Sequence, residues 1–209
     1  MLKVFSGDLD AVCRNDPATK SRLEAALCHT PWHGVCLYRV AHYLHIRFHL
    51  RLFPRLLSVI ARFWSGVEIH PAAEIGTNLF IDHGTGVVVG ETTHIGDDCV
   101  MFHNVTLGGT GKHAGKRHPT IGNNVYIGTG AILLGPITVG NNAKIGANSF
   151  LIMHDVPANS TVAGTPARLV KLDGKKVERS LTPTITTADS ISVAISNQVA
   201  RWGISGREL

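Results

Sequence analysis

An aliphatic residue that returns at every sixth position restricts this chain more than any other property. Ile69, Ile75 and Ile81 are six apart. So are Val89, Ile95, Met101 and Leu107, and so are Ile121, Ile127, Leu133, Val139, Ile145 and Leu151. A glycine often follows, as at Gly76, Gly90, Gly96, Gly122, Gly128 and Gly146. Four residues after the marked position stands a small or β-branched residue such as Ala73, Thr93, Val105, Ala131 or Ala143. A period of six is neither the helical 3.6 nor the simple strand alternation of two. It describes a short strand and a turn, repeated, with the aliphatic pointing inward onto its equivalent in the next coil. Glycine at the turn meets a need for positive φ or for close backbone approach. No coil can bury its aliphatics alone, so the coils must stack as a solenoid. Three hexads per coil give roughly four coils over 67–153. The predicted fold is an all-β parallel β-helix.

Composition fits such a core. Glycine supplies 22 of 209 residues, above the usual share of about 7%, yet no Gly-X-Y run appears. Aromatics are only 6%, so the interior is built from Ile, Val, Leu and Ala. Residues 1–66 read differently, as a small helical cap. Leu37, Val40, Ala41, Leu44 and Phe48 trace an amphipathic helix that Pro54 ends or kinks. Leu56, Leu57, Ile60, Phe63 and Trp64 trace a second, stopped at Ser65-Gly66, and residues 21–28 hold a third. The hexads end after Leu151, so 154–209 is expected to be loop and a polar, Ser/Thr-rich tail. The predicted organisation is a helical region at 1–66, a β-helix at 67–153 and a loop and tail at 154–209.

The net charge of +5 with a pI near 9.2 admits a polyanionic partner. The basic residues are spread out, however, and no nucleic-acid-binding signature accompanies them. The most apolar stretch carries Arg39, Arg47, Arg51, Arg55 and Arg62, which argues against a membrane span. Neither nucleic acid nor membrane is expected as a partner. Cys13, Cys28, Cys36 and Cys99 form no CxxC pair, and the first residues hold no apolar signal core. Reduced thiols in a cytoplasmic protein are expected.

The hexads lose phase twice. Two extra residues lie between Ile81 and Val89, and eight between Leu107 and Ile121. The first break holds Asp82 and His83; the second holds Lys112, His113, Lys116, Arg117 and His118. A solenoid pushes insertions outward as loops, and loops on a rigid scaffold are where function concentrates. His83 has the chemistry of a general base near neutral pH. A carboxylate, Asp82 or Glu68, would orient its ring and stabilise the imidazolium. His29, His33, His42, His45, His49 and His70 are read as surface or structural.

The stretches "EIHPAAEIG", "DHGTGVVVGE", "VTLGGTGK", "RHP", "IGANS" and "AGTPAR" closely resemble those of serine O-acetyltransferases, over roughly residues 12–170. This resemblance implies a left-handed β-helix and acetyl transfer from acetyl-CoA, as co-substrate, to the L-serine hydroxyl, the first step of cysteine synthesis. No metal is implied. His83 then matches the base, with Asp82 and Asp16 matching carboxylates that reach the serine ammonium. Arg117 matches the residue that holds the serine carboxylate, and His118 a second histidine on substrate. Acetyl-CoA would run past Gly109, Thr129, Lys144 and Ala147. The family's sites lie between subunits of a trimer, so a homotrimer is implied, with a hexamer as the alternative. The chain departs from the family pattern in three ways. Glu68 stands where Asp is usual, the N-terminal helical region is short, and the end is Leu209 rather than Ile. The last departure weighs against docking of the C-terminus on O-acetylserine sulfhydrylase.

The residues suit this chemistry. A zwitterion needs an acid for its amine and a cation for its carboxylate, and Arg binds carboxylate bidentately. Three other readings stand beside it. One is a hexapeptide O-acetyltransferase with a sugar or antibiotic acceptor. Another is a γ-carbonic-anhydrase-like zinc enzyme using His83, His113 and His118. The third is a non-catalytic scaffold.

Overall fold

The computed structural model describes residues 2–111 and 114–184. Its β part is a left-handed parallel β-helix of about five turns, a three-sided prism. The first face stacks Val67–Ile69, Val87–Val89, Thr106–Gly108, Ile132–Leu134 and Phe150–Ile152. The second stacks Glu74–Ile75, His94–Ile95, Thr120–Ile121 and Thr138–Val139. The third begins with Phe80–Ile81, Val100–Met101, Tyr126–Ile127 and Lys144–Ile145. Register follows the hexads: Ile132 pairs with Phe150, eighteen residues on. Where the phase breaks intervene, Glu74 pairs with His94 across twenty residues and His94 with Thr120 across twenty-six. The insertions lengthen a coil without disturbing the pairing on either side.

Of the marked aliphatics, only Ile75 is not buried; the others are at most 2% exposed. The residue four positions later faces inward too, from Ala73, Leu79 and Cys99 through Val125 to Ala143. The glycine after the marked aliphatic serves close approach rather than positive φ. A Cβ on Gly128 would lie 2.7 Å from the backbone nitrogen of Ala147 in the next coil. Left-handed backbone is supplied instead by Asn78, Asp98, Asn104, Asn124, Asn142, Asn148 and Asn159, residues that tolerate it through local polar contacts. Asn124 Nδ2 donates to Asn142 Oδ1 at 2.8 Å, and Asn142 Nδ2 to Asn159 Oδ1 at 2.9 Å.

The expected end of the coils at 153 is corrected. Val156 bridges Val139, and Ser160–Ala163 pairs in parallel with Lys144–Ile145. The fifth coil thus continues with Val156 and Val162, six apart, inside, one residue out of step with Leu151. Arg168–Leu172 and Lys175–Arg179 then close the third face as antiparallel strands, so the tail is ordered strand to this point. Thr182–Pro183 pairs with His154–Asp155. The expected tail beyond 184, including Leu209, lies outside the described residues.

Four helices cap the first coil: α1 (Leu2–Asn15), α2 (Arg22–Cys28), α3 (Thr30–Phe48) and α4 (Leu52–Ser65). The amphipathic pattern had not marked α1. It buries Leu9, Ala11 and Val12 against Ala25 and Phe80. Pro54 neither ends nor kinks α3. That helix stops at Phe48, with His49 left-handed after it. Pro54 instead lies in the first turn of α4, where its missing N–H has no helical partner to lose. A buried pair bolts the cap to the prism. Arg39 on α3 grips both carboxylate oxygens of Asp8 on α1 at 3.1 and 3.2 Å, and donates to Ile75 O at 2.6 Å. Asp8 also accepts from Leu79 N at 3.0 Å. Helix α4 turns small residues, Ser58, Ala61 and Ser65, inward. Leu52, Leu56, Ile60, Phe63 and Trp64 are left exposed on it. No helix among the described residues is long and apolar enough to cross a membrane. The four cysteines are free thiols.

Candidate active site

The two phase breaks fall on different edges of the prism. Asp82 and His83 follow Phe80–Ile81 of the third face and precede Val87–Val89 of the first. Arg117 and His118 lie between Thr106–Gly108 of the first face and Thr120–Ile121 of the second. A whole face separates the edges, up to about 20 Å for six residues of strand and turn. Within one chain the two sets do not meet.

On the first edge the two surplus residues buckle the chain outward. His83, Gly84 and Gly86 all take positive φ, at 60°, 66° and 76°. Such a conformation at histidine costs on the order of 1 kcal/mol. The bulge is held by Gly84 N to Asp82 O at 2.7 Å and Thr85 N to His83 O at 2.8 Å. It leaves the His83 side chain 74% exposed, with Nε2 3.8 Å from Asp82 Oδ1. The His103 ring stands edge-on to that of His83 at 5.7 Å. Asp16, just past α1, accepts from Thr19 Oγ1 at 2.6 Å and from Ala18 N at 2.8 Å. Those bonds, the threonine's foremost, hold its carboxyl below the ordinary carboxylate range. His29 lies within the field of both Asp16 and Asp82, although burial outweighs them and keeps it below the usual histidine value. Its Nδ1 caps α3 by accepting from Trp32 N at 3.2 Å. Asp16, Asp82 and His83 therefore share one end of this edge. Thr129 and Ala147 continue along it, joined through Gly130 N to His103 O at 3.0 Å and Asn148 N to Thr129 O at 2.7 Å. Lys144 is exposed on the adjoining third face.

On the second edge Arg117 is ion-paired with Glu91, and that guanidinium holds Glu91 well below the usual glutamate value. His118 is buried over two glycines. A Cβ on Gly90 would lie 2.2 Å from its Nε2, and one on Gly109 3.4 Å away. Burial first, and then the Arg117 cation, lowers its affinity for a proton. His70, on the same edge, is pushed down to about 4 by burial, with Arg55 adding to the effect. Gly109 opens the insertion, of which residues 112 and 113 lie outside the described residues.

Glu68 is not drawn to His83; it pairs with Arg62 Nη1 at 2.8 Å. Among the described residues no three His, Cys, Asp or Glu side chains gather as a metal-ligand set. His113, invoked in the zinc reading, falls outside them. Glu91, Thr92 and His103 line these edges and were not marked in the sequence, whereas His29, a helix cap, and His70, a buried ring, keep the structural reading given them. Glu91 and Thr92 directly follow Gly90, one coil before the second break, and that stacking is the signal that would have found them.

Residues 118–152 match the family model for the bacterial transferase hexapeptide, six repeats. Solenoid, insertions and match together define a hexapeptide-repeat transferase. The serine acetyltransferase of Bacillus pumilus is 51% identical over 179 residues, covering 86% of this chain and 82% of that protein. At this level of similarity the chain belongs to the serine acetyltransferase family. Among solved structures, the Brucella abortus serine acetyltransferase in complex with coenzyme A superposes with a TM-score of 0.78. It is 41% identical, over 85% of this chain and 69% of that one. The Neisseria gonorrhoeae enzyme in complex with serine gives 0.77 at 39% identity, over 81% and 69%.

Proposed function

We propose that this enzyme transfers acetyl from acetyl-CoA to the L-serine hydroxyl, giving O-acetyl-L-serine for cysteine synthesis, at sites shared between the chains of a homotrimer. The observation that carries this reading is the division of the polar groups between two edges. One edge presents acids and an exposed imidazole; the other presents a guanidinium and a buried imidazole. Together they complement an amino acid: Asp16 and Asp82 for the ammonium, Arg117 for the carboxylate. Neither edge suffices alone, so one chain supplies His83 and its neighbour Arg117 and His118. The exposed apolar face of α4, with Phe63 88% exposed, is the kind of patch that marks a contact between chains.

His83 takes the proton from the serine hydroxyl as its oxygen attacks the thioester carbon. Asp82, on the same bulge, stabilises the imidazolium that forms. When the tetrahedral intermediate collapses, the carbon–sulfur bond breaks and His83 returns the proton to the departing thiolate. No covalent enzyme intermediate is needed. Acetyl-CoA lies along the groove past Thr129, Ala147 and Lys144, with Gly109 on the facing edge. Glu68, held by Arg62, is given no part in supporting the base. Four free thiols suit the reducing cytoplasm, where we place the enzyme.

The test is release of coenzyme A thiol from acetyl-CoA with a panel of hydroxyl acceptors. Saturable release with L-serine, and little with sugars or aminoglycosides, is expected. Acetylation of sugars without serine activity would overturn the reading. Sedimentation should give a trimer; an active monomer would overturn the shared site.

A further inference from the structure

We propose that Thr92 is a positioning residue that locks His118 into its Nε2–H tautomer. His118 then works as a hydrogen-bond donor in the site and not as a second base. The inference rests on the serine-transferase reading only for the identity of the ligand that meets Nε2.

The available hydrogens fix the tautomer. Thr92 Oγ1 lies 3.0 Å from the backbone nitrogen of Arg117 and 3.1 Å from that of His118. Both groups can only donate, so they take the two lone pairs of the hydroxyl. Its one hydrogen is left for the third neighbour, His118 Nδ1, at 2.9 Å. The backbone N–H of Thr92 also points at Nδ1, at 3.2 Å. Two donors converge on Nδ1, which must therefore be bare, and the ring proton of the neutral imidazole sits on Nε2. Charging the ring would put a hydrogen on Nδ1 against both donors. Nε2 is the nitrogen that lies against Gly90 and Gly109.

Thr92 also anchors the returning limb of the insertion. Lys116 Nζ donates to Thr92 O at 2.7 Å, so Lys116, Arg117 and His118 all bind one residue. The two histidines thereby receive different tasks. His83, exposed on its bulge, is left the part of base. His118, clamped by Thr92, offers one N–H in a fixed direction.

The experiment uses the full chain with Thr92→Val, which keeps the shape and removes the hydroxyl, and Thr92→Ser, which restores it. Nitrogen-15 NMR of the imidazoles reads the tautomer directly. The wild type and Thr92→Ser should show His118 with bare Nδ1 throughout the neutral pH range, and Thr92→Val a mixture of tautomers. In kinetics Thr92→Val should lower kcat/KM for serine about 10- to 100-fold, the loss of one or two hydrogen bonds at about 1.5 kcal/mol each, and Thr92→Ser should recover most of it. A proton on Nδ1 in the wild type overturns the proposal. So does a Thr92→Val enzyme with unaltered tautomer and kinetics. Should Thr92→Val fail to fold, the wild-type and Thr92→Ser spectra still decide. A wild type inactive on serine would defeat the functional reading and leave the tautomer result standing.

Discussion

Replacing Gly90 by alanine should cripple the enzyme while leaving its fold nearly intact. The new Cβ would lie 2.0 Å from His118 Cδ2 and 2.2 Å from Nε2. Carbon atoms in contact settle at about 3.5–4.0 Å, so the ring must retreat by about 1.5 Å. That movement pulls Nδ1 off Thr92 and turns Nε2–H away from the site. Misplacement of a reacting or orienting group by about 1 Å costs on the order of 100-fold, and kcat/KM for serine should fall by about that factor. Gly90 has no positive φ, so alanine strains no backbone. Overpacking should cost about 1–3 kcal/mol, at roughly 2–4 °C of Tm per kcal/mol for a chain of this size. The control is Gly96→Ala, at the equivalent place in the next hexad. There the Cβ meets the backbone carbonyl of Gly122 at 2.8 Å, far from either insertion. Stability should fall and activity per folded molecule should hold. Thiol release and thermal unfolding, measured on both variants, separate the effects. A folded Gly90→Ala enzyme with wild-type kinetics would refute the assigned place of His118.

His83→Ala should lower kcat by about 10²- to 10⁴-fold with unchanged circular dichroism and sedimentation, because the ring is largely exposed; an unchanged rate removes it from the mechanism. Arg117→Ala should chiefly raise the KM for serine, and a normal KM would contradict its pairing with the substrate carboxylate. Asp8→Asn leaves the buried Arg39 without its counter-charge and should cost about 3–5 kcal/mol in denaturant unfolding. A loss below about 1 kcal/mol would show that the carbonyls of Ile75 and Gly76, both of which accept from Arg39, suffice. Stability should fall as pH drops from about 6.5 toward 4: His70, held near 4 in the folded chain, stays neutral while its unfolded counterpart, at about 6.5, takes up protons. Unfolding free energy that is flat across that window in the wild type and in His70→Gln alike would refute this.

The hexads made the prism legible because each marked aliphatic has one place to go, the axis of the coil. Even the separation of the two breaks could have been read. Marked positions visit the three faces in turn, so a break after Ile81 opens the edge between the third and first faces and one after Leu107 the edge between the first and second. What remained hidden lacks a period or falls out of step with it. Helix α1 contributes only a narrow stripe, Leu9, Ala11 and Val12. The last coil slips by one residue, Val156 standing five and not six after Leu151, and it buries the polar Ser160. Thr92 and Glu91 are ordinary turn residues until the coil above is laid upon them. The choice between positive φ and close contact at the hexad glycines was likewise beyond sequence, since either demand selects the same residue.

The placement of acid and base on one ridge, and of guanidinium and donor imidazole on another, means that two dead polypeptides can make a living enzyme. A chain lacking His83 keeps a sound Arg117 ridge; a chain lacking Arg117 keeps a sound His83 ridge. In any three-membered ring containing both kinds, one junction brings the two sound ridges together. Random mixing at equal amounts should therefore revive about a quarter of the sites, by arithmetic open only to an enzyme whose every reaction chamber has two owners.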